Sequence, residues 1–168
     1  MNNTRNQPPS NWQQQLSNAI TDTATLLKAL EITPAQVRNM GIDYNPGFPL
    51  KVPQSYLSRI NKGQADDPLL RQVLALERER ISVQGESNDP VGDLQARQLA
   101  GLIHKYRGRA LLIVSAACGI HCRYCFRKNF PYSENILANN LEAICDYLMQ
   151  APEIDEVILS GGDPLSYS

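Results

Sequence analysis

The sequence predicts an α/β protein, with a helical N-terminal region followed by a βαβ unit. Three observations carry this. Residues 10–84 hold helix start and stop signals without a strand-like run. Ala110-Leu-Leu-Ile-Val114 and Glu156-Val-Ile-Leu159 are continuous apolar runs of strand length, expected as parallel strands buried on both faces. Between them Ile136, Leu137, Leu141, Ile144, Cys145 and Leu148 recur with a period near 3.6, which predicts one crossover helix with Cys145 as a core filler on its apolar stripe.

Taken in order, residues 1–9 are polar and proline-containing and are expected to be disordered. Ser10, with Gln13 three positions on, reads as a helix cap, after which Trp12, Leu16, Ala19 and Ile20 share a face. Thr33-Pro34 and Asp67-Pro68 each set a capping residue before a first-turn proline, and Gly41 and Gly63 stand where helices stop. Helices are therefore expected over Pro53–Asn61, burying Tyr56, Leu57 and Ile60, and over Pro68–Leu76, burying Leu69, Leu70, Val73 and Leu74. The helical region spans 10–84. Residues 85–108 begin with the turn-rich GESNDPVG and read as a linker, and 109–168 hold the βαβ unit. Parallel strands joined by a helix belong to a larger sheet or barrel.

Composition narrows the function classes. With 168 residues, 42% hydrophobic and 20% charged, the chain is of ordinary globular make-up. A net charge of -1 offers no electrostatic reason for a nucleic-acid or anionic-membrane partner. No apolar run approaches the ~20 residues of a membrane span. The N-terminus lacks a signal-like apolar segment, so a cytoplasmic protein is expected. Four cysteines, three within eight residues, suit a reduced metal-binding set better than a disulfide framework.

Those three are Cys118, Cys122 and Cys125, in a CxxxCxxC pattern directly after the first predicted strand. Active sites of α/β barrels lie on loops at the carboxyl ends of strands. Thiolates are the usual ligands of iron-sulfur clusters, and three of them leave one iron of four open for a ligand. The other reading is a structural zinc site completed by His121, His104 or Cys145. Zinc sites usually separate two ligand pairs by a longer loop, and His121 sits directly beside Cys122.

A second motif, Ser160-Gly161-Gly162-Asp163, follows the second strand at once. Paired glycines let a ligand approach the backbone, and carbonyls and a carboxylate accept hydrogen bonds from an ammonium group. The cysteine spacing, with the aromatic Tyr124 just before the third cysteine, resembles the radical S-adenosylmethionine (SAM) superfamily. That resemblance implies a 4Fe-4S cluster whose open iron chelates SAM, a reductant to supply the electron, and a role for Ser160–Asp163 in binding the SAM amino group. It also implies that 109–168 begin a partial (β/α) barrel.

The stretches VPQSYLSRINKGQADDPLLRQVL, GLIHKYRGRALLIV, CRYCFRKNFPY and LSGGDPL are similar to the lysine 2,3-aminomutase family, and among its branches to the short form that makes (R)-beta-lysine for elongation factor P. The family resemblance implies a 1,2-amino shift on lysine held by pyridoxal phosphate (PLP). By position, Arg127 matches the family arginine that grips the substrate carboxylate, as its planar fork suits. Tyr106 and Arg109 match positions near the PLP phosphate. The plainer alternative is that Arg123, Arg127 and Lys128 offset the negative cluster or face solvent.

In the family, the PLP lysine and the acidic residues for the far ammonium of the substrate map to a carboxyl-terminal half, and that lysine is absent from this chain. The 60 residues from Arg109 to Ser168 compare with ~250 for a complete eightfold barrel. The expectation is therefore a truncated aminomutase piece, inactive by itself and prone to associate, as a homo-oligomer for example. The competing expectations are a small iron-sulfur binding or interaction module without catalysis, and a helical interaction domain with an incidental cysteine loop.

Overall fold

A computed structural model describes residues 12–166, the side chains of Arg127 and Tyr132 apart. The readings of residues 1–9 and of Ser10 lie outside the described residues. The chain divides into two compact units. Among the described residues, the first comprises 12–81 with Gly119–Tyr124, and the second comprises Ser82–Cys118 and 125–166.

The first unit is helical. Its elements are α1 (Trp12–Ser17), α2 (Thr23–Ala29), α3 (Pro34–Met40), α4 (Gln54–Leu57) and α5 (Pro68–Arg71), with a 3-10 turn at Glu77–Arg80. Asp22 caps α2 by accepting from the Thr25 N–H at 2.7 Å. Thr33 and Gln36 form a reciprocal capping box on α3, which ends on the left-handed Gly41. The expected faces are buried: Leu57, Ile60, Leu70, Val73 and Leu74 join Leu26, Leu30 and Val52 in one core, with Tyr56 and Leu69 packed against it. The two later helices are shorter than their patterns suggest. After Leu57 and Arg71 the backbone tightens into i→i−3 bonds, such as Ile60 N–H to Leu57 carbonyl and Val73 N–H to Leu70 carbonyl.

Asp67 is the polar anchor of this unit. It is 2% exposed, and its carboxylate accepts from the N–H groups of Asn61, Leu69 and Leu70 and from the Asn61 amide. Burial pushes the carboxyl up, but these four donors outweigh it and hold it below the ordinary value.

The second unit is built on a four-stranded sheet in the order β1 (Arg97–Leu99), β2 (Leu102–Tyr106), β3 (Arg109–Ser115) and β4 (Glu156–Gly161). β1 and β2 pair antiparallel, as do β2 and β3, whereas β3 and β4 are parallel. The fold is thus mixed α/β. The stretch 85–108, expected as a linker, carries the short helix α6 (Asp93–Ala96) and two strands; its polar start conceals the apolar Leu102-Ile103 that β3 covers. Gly101, at φ 96°, allows the turn between β1 and β2 to lie against the backbone of Leu137, where a Cβ would stand 2.7 Å from its nitrogen.

The expected crossover helix exists as α7 (Leu141–Gln150), preceded by a 3-10 turn at Leu137–Asn139 that takes up the first part of the apolar pattern. α7 buries Ile144 against Leu102, Ala110 and Leu112 on one sheet face, while Ile103, Ile113 and Phe130 cluster separately. Two expectations are corrected here. Cys145 is exposed rather than a core filler, because the line of contact with the sheet runs through Ile144. β4 is not buried on both faces: among the described residues it is the last strand of the sheet, and Val157 and Leu159 are exposed because α7 lies over β3.

Candidate cluster site

Two pieces of geometry prepare the cysteine loop, one in each unit. In the sheet unit, the segment leaving β3 is sewn to the segment leaving β4. Gly162 N–H donates to the Ser115 carbonyl and Asp163 N–H to the Ala117 carbonyl, both at 2.7 Å. The Ser115 hydroxyl accepts from the Ala117 N–H. Cys118 is the next residue, so it follows directly on a segment tied to Gly162 and Asp163 at the carboxyl ends of two parallel strands.

The glycine pair is required by this stitch. At Gly161, with φ 127°, a Cβ would stand 2.4 Å from the Ser115 oxygen; at Gly162 it would stand 2.0 Å from the Ala117 oxygen. Neither distance admits a side chain, so the close approach that the glycines serve includes the neighbouring backbone. Asp163 turns its carboxylate onto the Leu165 N–H at 3.0 Å, closing the short turn that follows. Ser160 sits on β4 beside Ile113.

In the helical unit, the middle of the loop is held on both sides of Cys122. His121 N–H donates to the Lys51 carbonyl and Arg123 N–H to the Gln72 carbonyl, and Ile120 packs on the helical core. The His121 ring stacks on Phe48 with centroids 4.8 Å apart. Its Nδ1 lies 2.9 Å from the Pro49 carbonyl, which only accepts, so that nitrogen carries the proton. Arg123 does not face solvent: its side chain is 10% exposed and pairs with Glu79. Both Nε and Nη2 reach the carboxylate, and Nη1 donates to the Phe48 carbonyl at 3.0 Å. Sequence reasoning missed Glu79, Phe48 and Gln72, which carry no motif and lie far from the cysteines along the chain. Burial pushes the Tyr56 phenol up, and negative charge at Cys122 pushes it further.

Cys118, Cys122 and Cys125 are free and partly buried. Among the described residues no group of three His, Cys, Asp or Glu side chains converges closely enough to hold a metal ion as it stands. The donor set itself fits an iron-sulfur cluster: three soft thiol ligands in eight residues, with the backbone anchored beside Cys118 and on both sides of Cys122. Tyr124 is exposed, and the backbone of Arg127 lies in a 3-10 turn at Phe126–Lys128. The Arg127 side chain is outside the described residues.

Tyr106 and Arg109 stand apart from this stem. They pair with each other at the hairpin between β2 and β3, and Arg109 forms an ion pair with Glu156 at the start of β4. Cys118 follows the other end of β3, about 20 Å away for seven residues of strand.

Comparison with known proteins finds two kinds of likeness. A family model described as a 4Fe-4S single cluster domain matches residues 106–168. L-lysine 2,3-aminomutase of Escherichia coli (strain K12) is 44% identical over 155 residues, covering 92% of this chain and 45% of the relative. The chain is similar to these L-lysine 2,3-aminomutases. That of Haemophilus influenzae is 41% identical over 92% of this chain and 46% of its own length, and that of Methanococcus maripaludis 33% over 94% and 38%. The chain therefore spans less than half the length of these aminomutases. The aminomutase likeness covers both units, whereas the cluster-domain match lies almost wholly in the sheet unit.

Proposed function

We propose that this chain supplies the cluster-binding and SAM-binding part of a radical SAM, PLP-dependent L-lysine 2,3-aminomutase, which converts alpha-lysine to (R)-beta-lysine for elongation factor P. The observation that carries the reading is the pair of hydrogen bonds sewing Ser115 and Ala117 to Gly162 and Asp163, which sets the stem of Cys118 beside the glycine motif. The 44% identity to an L-lysine 2,3-aminomutase supports the choice of reaction.

In this reading Cys118, Cys122 and Cys125 would hold three irons of a 4Fe-4S cluster as thiolates. When bound, the cluster with SAM supplies the radical, and PLP supplies the carrier for the migrating amino group. The chain holds these groups in place. Arg123, paired with Glu79 and bonded through its N–H to the Gln72 carbonyl, would hold the backbone beside Cys122 in place for a cluster ligand. Tyr124, exposed and next in sequence to the third cysteine, would contact bound SAM. Ser160–Asp163 offer backbone carbonyls and a hydroxyl to an ammonium group. Arg127 binds the lysine carboxylate through its fork. Tyr106 and Arg109, at the other end of β3, are given no step. An external reductant supplies the electron, and the reading places the chain in the cytoplasm.

The 168-residue polypeptide alone is proposed to load a cluster and bind SAM without turning over lysine. Anaerobic reconstitution with iron and sulfide, followed by incubation with SAM, PLP, dithionite and lysine, tests this. Cluster loading with no beta-lysine is the expected outcome, and beta-lysine formation by the chain alone would refute it.

A further inference from the structure

We infer that the helical unit carries a second small-molecule site, a cleft that takes an aliphatic molecule with a carboxylate at one end and an ammonium at the other. The cleft lies between the end of α3, the turn before α5 and the 3-10 turn at Glu77–Arg80, and its volume is about 270 Å³. Asp66, Arg71 and Arg78 line it over an apolar floor of Met40, Leu74 and Leu76, and no residue of the cysteine loop takes part.

The local sequence leaves these three charges on the cleft. Asp66 and Asp67 are adjacent, yet they part ways: Asp67 turns inward onto the N–H groups of Asn61, Leu69 and Leu70, whereas Asp66 is exposed. In the Glu77–Arg80 turn, Glu79 is taken by Arg123 and Arg80 by Asp43, which leaves Arg78 to the cleft. Arg71 ends α5 and is exposed beside it. Among the described residues none of the three side chains enters an ion pair, so the Asp66 carboxylate stands more than 4.0 Å from either guanidinium.

One cleft thus holds two cations and one anion that do not neutralise each other. Guanidinium forks suit a carboxylate, and the Asp66 carboxylate accepts from an ammonium. Between the poles, Leu74, which is 2% exposed, and its apolar neighbours cover methylene groups. A plain anion would meet Asp66 at like charge, and a plain amine would meet the two arginines; only a ligand bearing both charges satisfies every side. The volume falls just below the ~300 Å³ at which sites for drug-sized ligands begin, which suits one amino acid. The inference needs no cluster, so it stands or falls apart from the chemistry of the cysteines.

The test titrates the isotope-labelled 168-residue chain, without iron, with 6-aminohexanoate, and in parallel with hexanoate, hexylamine and inorganic phosphate, following the backbone amides by NMR. Expected are saturable shifts centred on 65–78 with 6-aminohexanoate, at half-saturation roughly tenfold or more below that of each singly functional probe. An Arg71→Gln, Arg78→Gln variant and an Asp66→Asn variant, all at exposed positions, should each weaken binding by roughly tenfold or more. No saturable shift, equal binding of hexanoate, hexylamine or phosphate, shifts centred on 118–125 or 160–163 instead, or binding untouched by either variant would overturn the inference. The probe series and the shift map use the unaltered chain and decide the matter even where a variant does not fold.

Discussion

Arg123 and Glu79 meet across 44 residues of sequence in an ion pair whose shortest contact is 2.8 Å, and the same guanidinium donates to the Phe48 carbonyl. The pair is a scaffold for Cys122, since the residues on either side of that cysteine are hydrogen-bonded to the helical unit.

Replacing Arg123 by Ala leaves a carboxylate that is 23% exposed without its cation. Breaking a fully buried pair costs about 3–5 kcal/mol, and partial exposure reduces this to about 1–3 kcal/mol. Iron bound per chain after anaerobic reconstitution should fall at least twofold. Arg123→Lys should restore only part of it, because an ammonium cannot bridge the carboxylate and the Phe48 carbonyl together. Iron and acid-labile sulfide assays check both.

Gly162→Ala places a methyl group 2.0 Å from the Ala117 oxygen and must part the two strand exits. Overpacking of this kind costs about 2 kcal/mol or more. The melting temperature should fall by roughly 4–8 °C. Gly47→Ala, where nothing lies within 4 Å of the added carbon, is the control and should stay within about 0.5 kcal/mol. Differential scanning calorimetry reads both.

Asp67→Asn weakens a carboxylate that caps α5 and binds Asn61, at a cost of about 1–2 kcal/mol at neutral pH. The folded-state carboxyl titrates below its ordinary value of 3.8. Its stabilisation is therefore complete above about pH 5, beyond the unfolded value near 3.9, and is lost as the pH falls through the folded value. Urea unfolding at several pH values should show the advantage of the parent chain over the variant shrinking to zero in acid.

Much of the helical unit was legible because its signals are local. Thr33-Pro34 and Asp67-Pro68 specify caps within four residues, and the apolar faces around Leu57 and Leu70 follow from spacing alone. The strands β1 and β2 were not legible, since three and five residues give too short a pattern and the first follows a polar stretch. The stripe through Cys145 was readable as a helix, yet its burial depended on where the sheet ends. The cysteine loop and the glycine motif could be placed at strand ends from order along the chain. Their union through Ala117 and Asp163, and the tie from Arg123 to Glu79, are long-range and leave no local trace.

Cysteine variants separate ligands from bystanders. Cys118→Ala, Cys122→Ala and Cys125→Ala should each abolish the visible absorption of the reconstituted cluster. Cys145→Ser should leave it unchanged, because that thiol is exposed on α7. Loss of iron in the Cys145 variant would show that this thiol, too, takes part in holding the cluster.

Electron paramagnetic resonance of the anaerobically reconstituted, dithionite-reduced chain, recorded with and without SAM, asks whether one iron is left without a cysteine. A reduced 4Fe-4S signal whose shape changes on adding SAM is expected. A signal indifferent to SAM, or uptake of zinc and no iron-sulfur cluster, would rule out an open iron held by Cys118, Cys122 and Cys125.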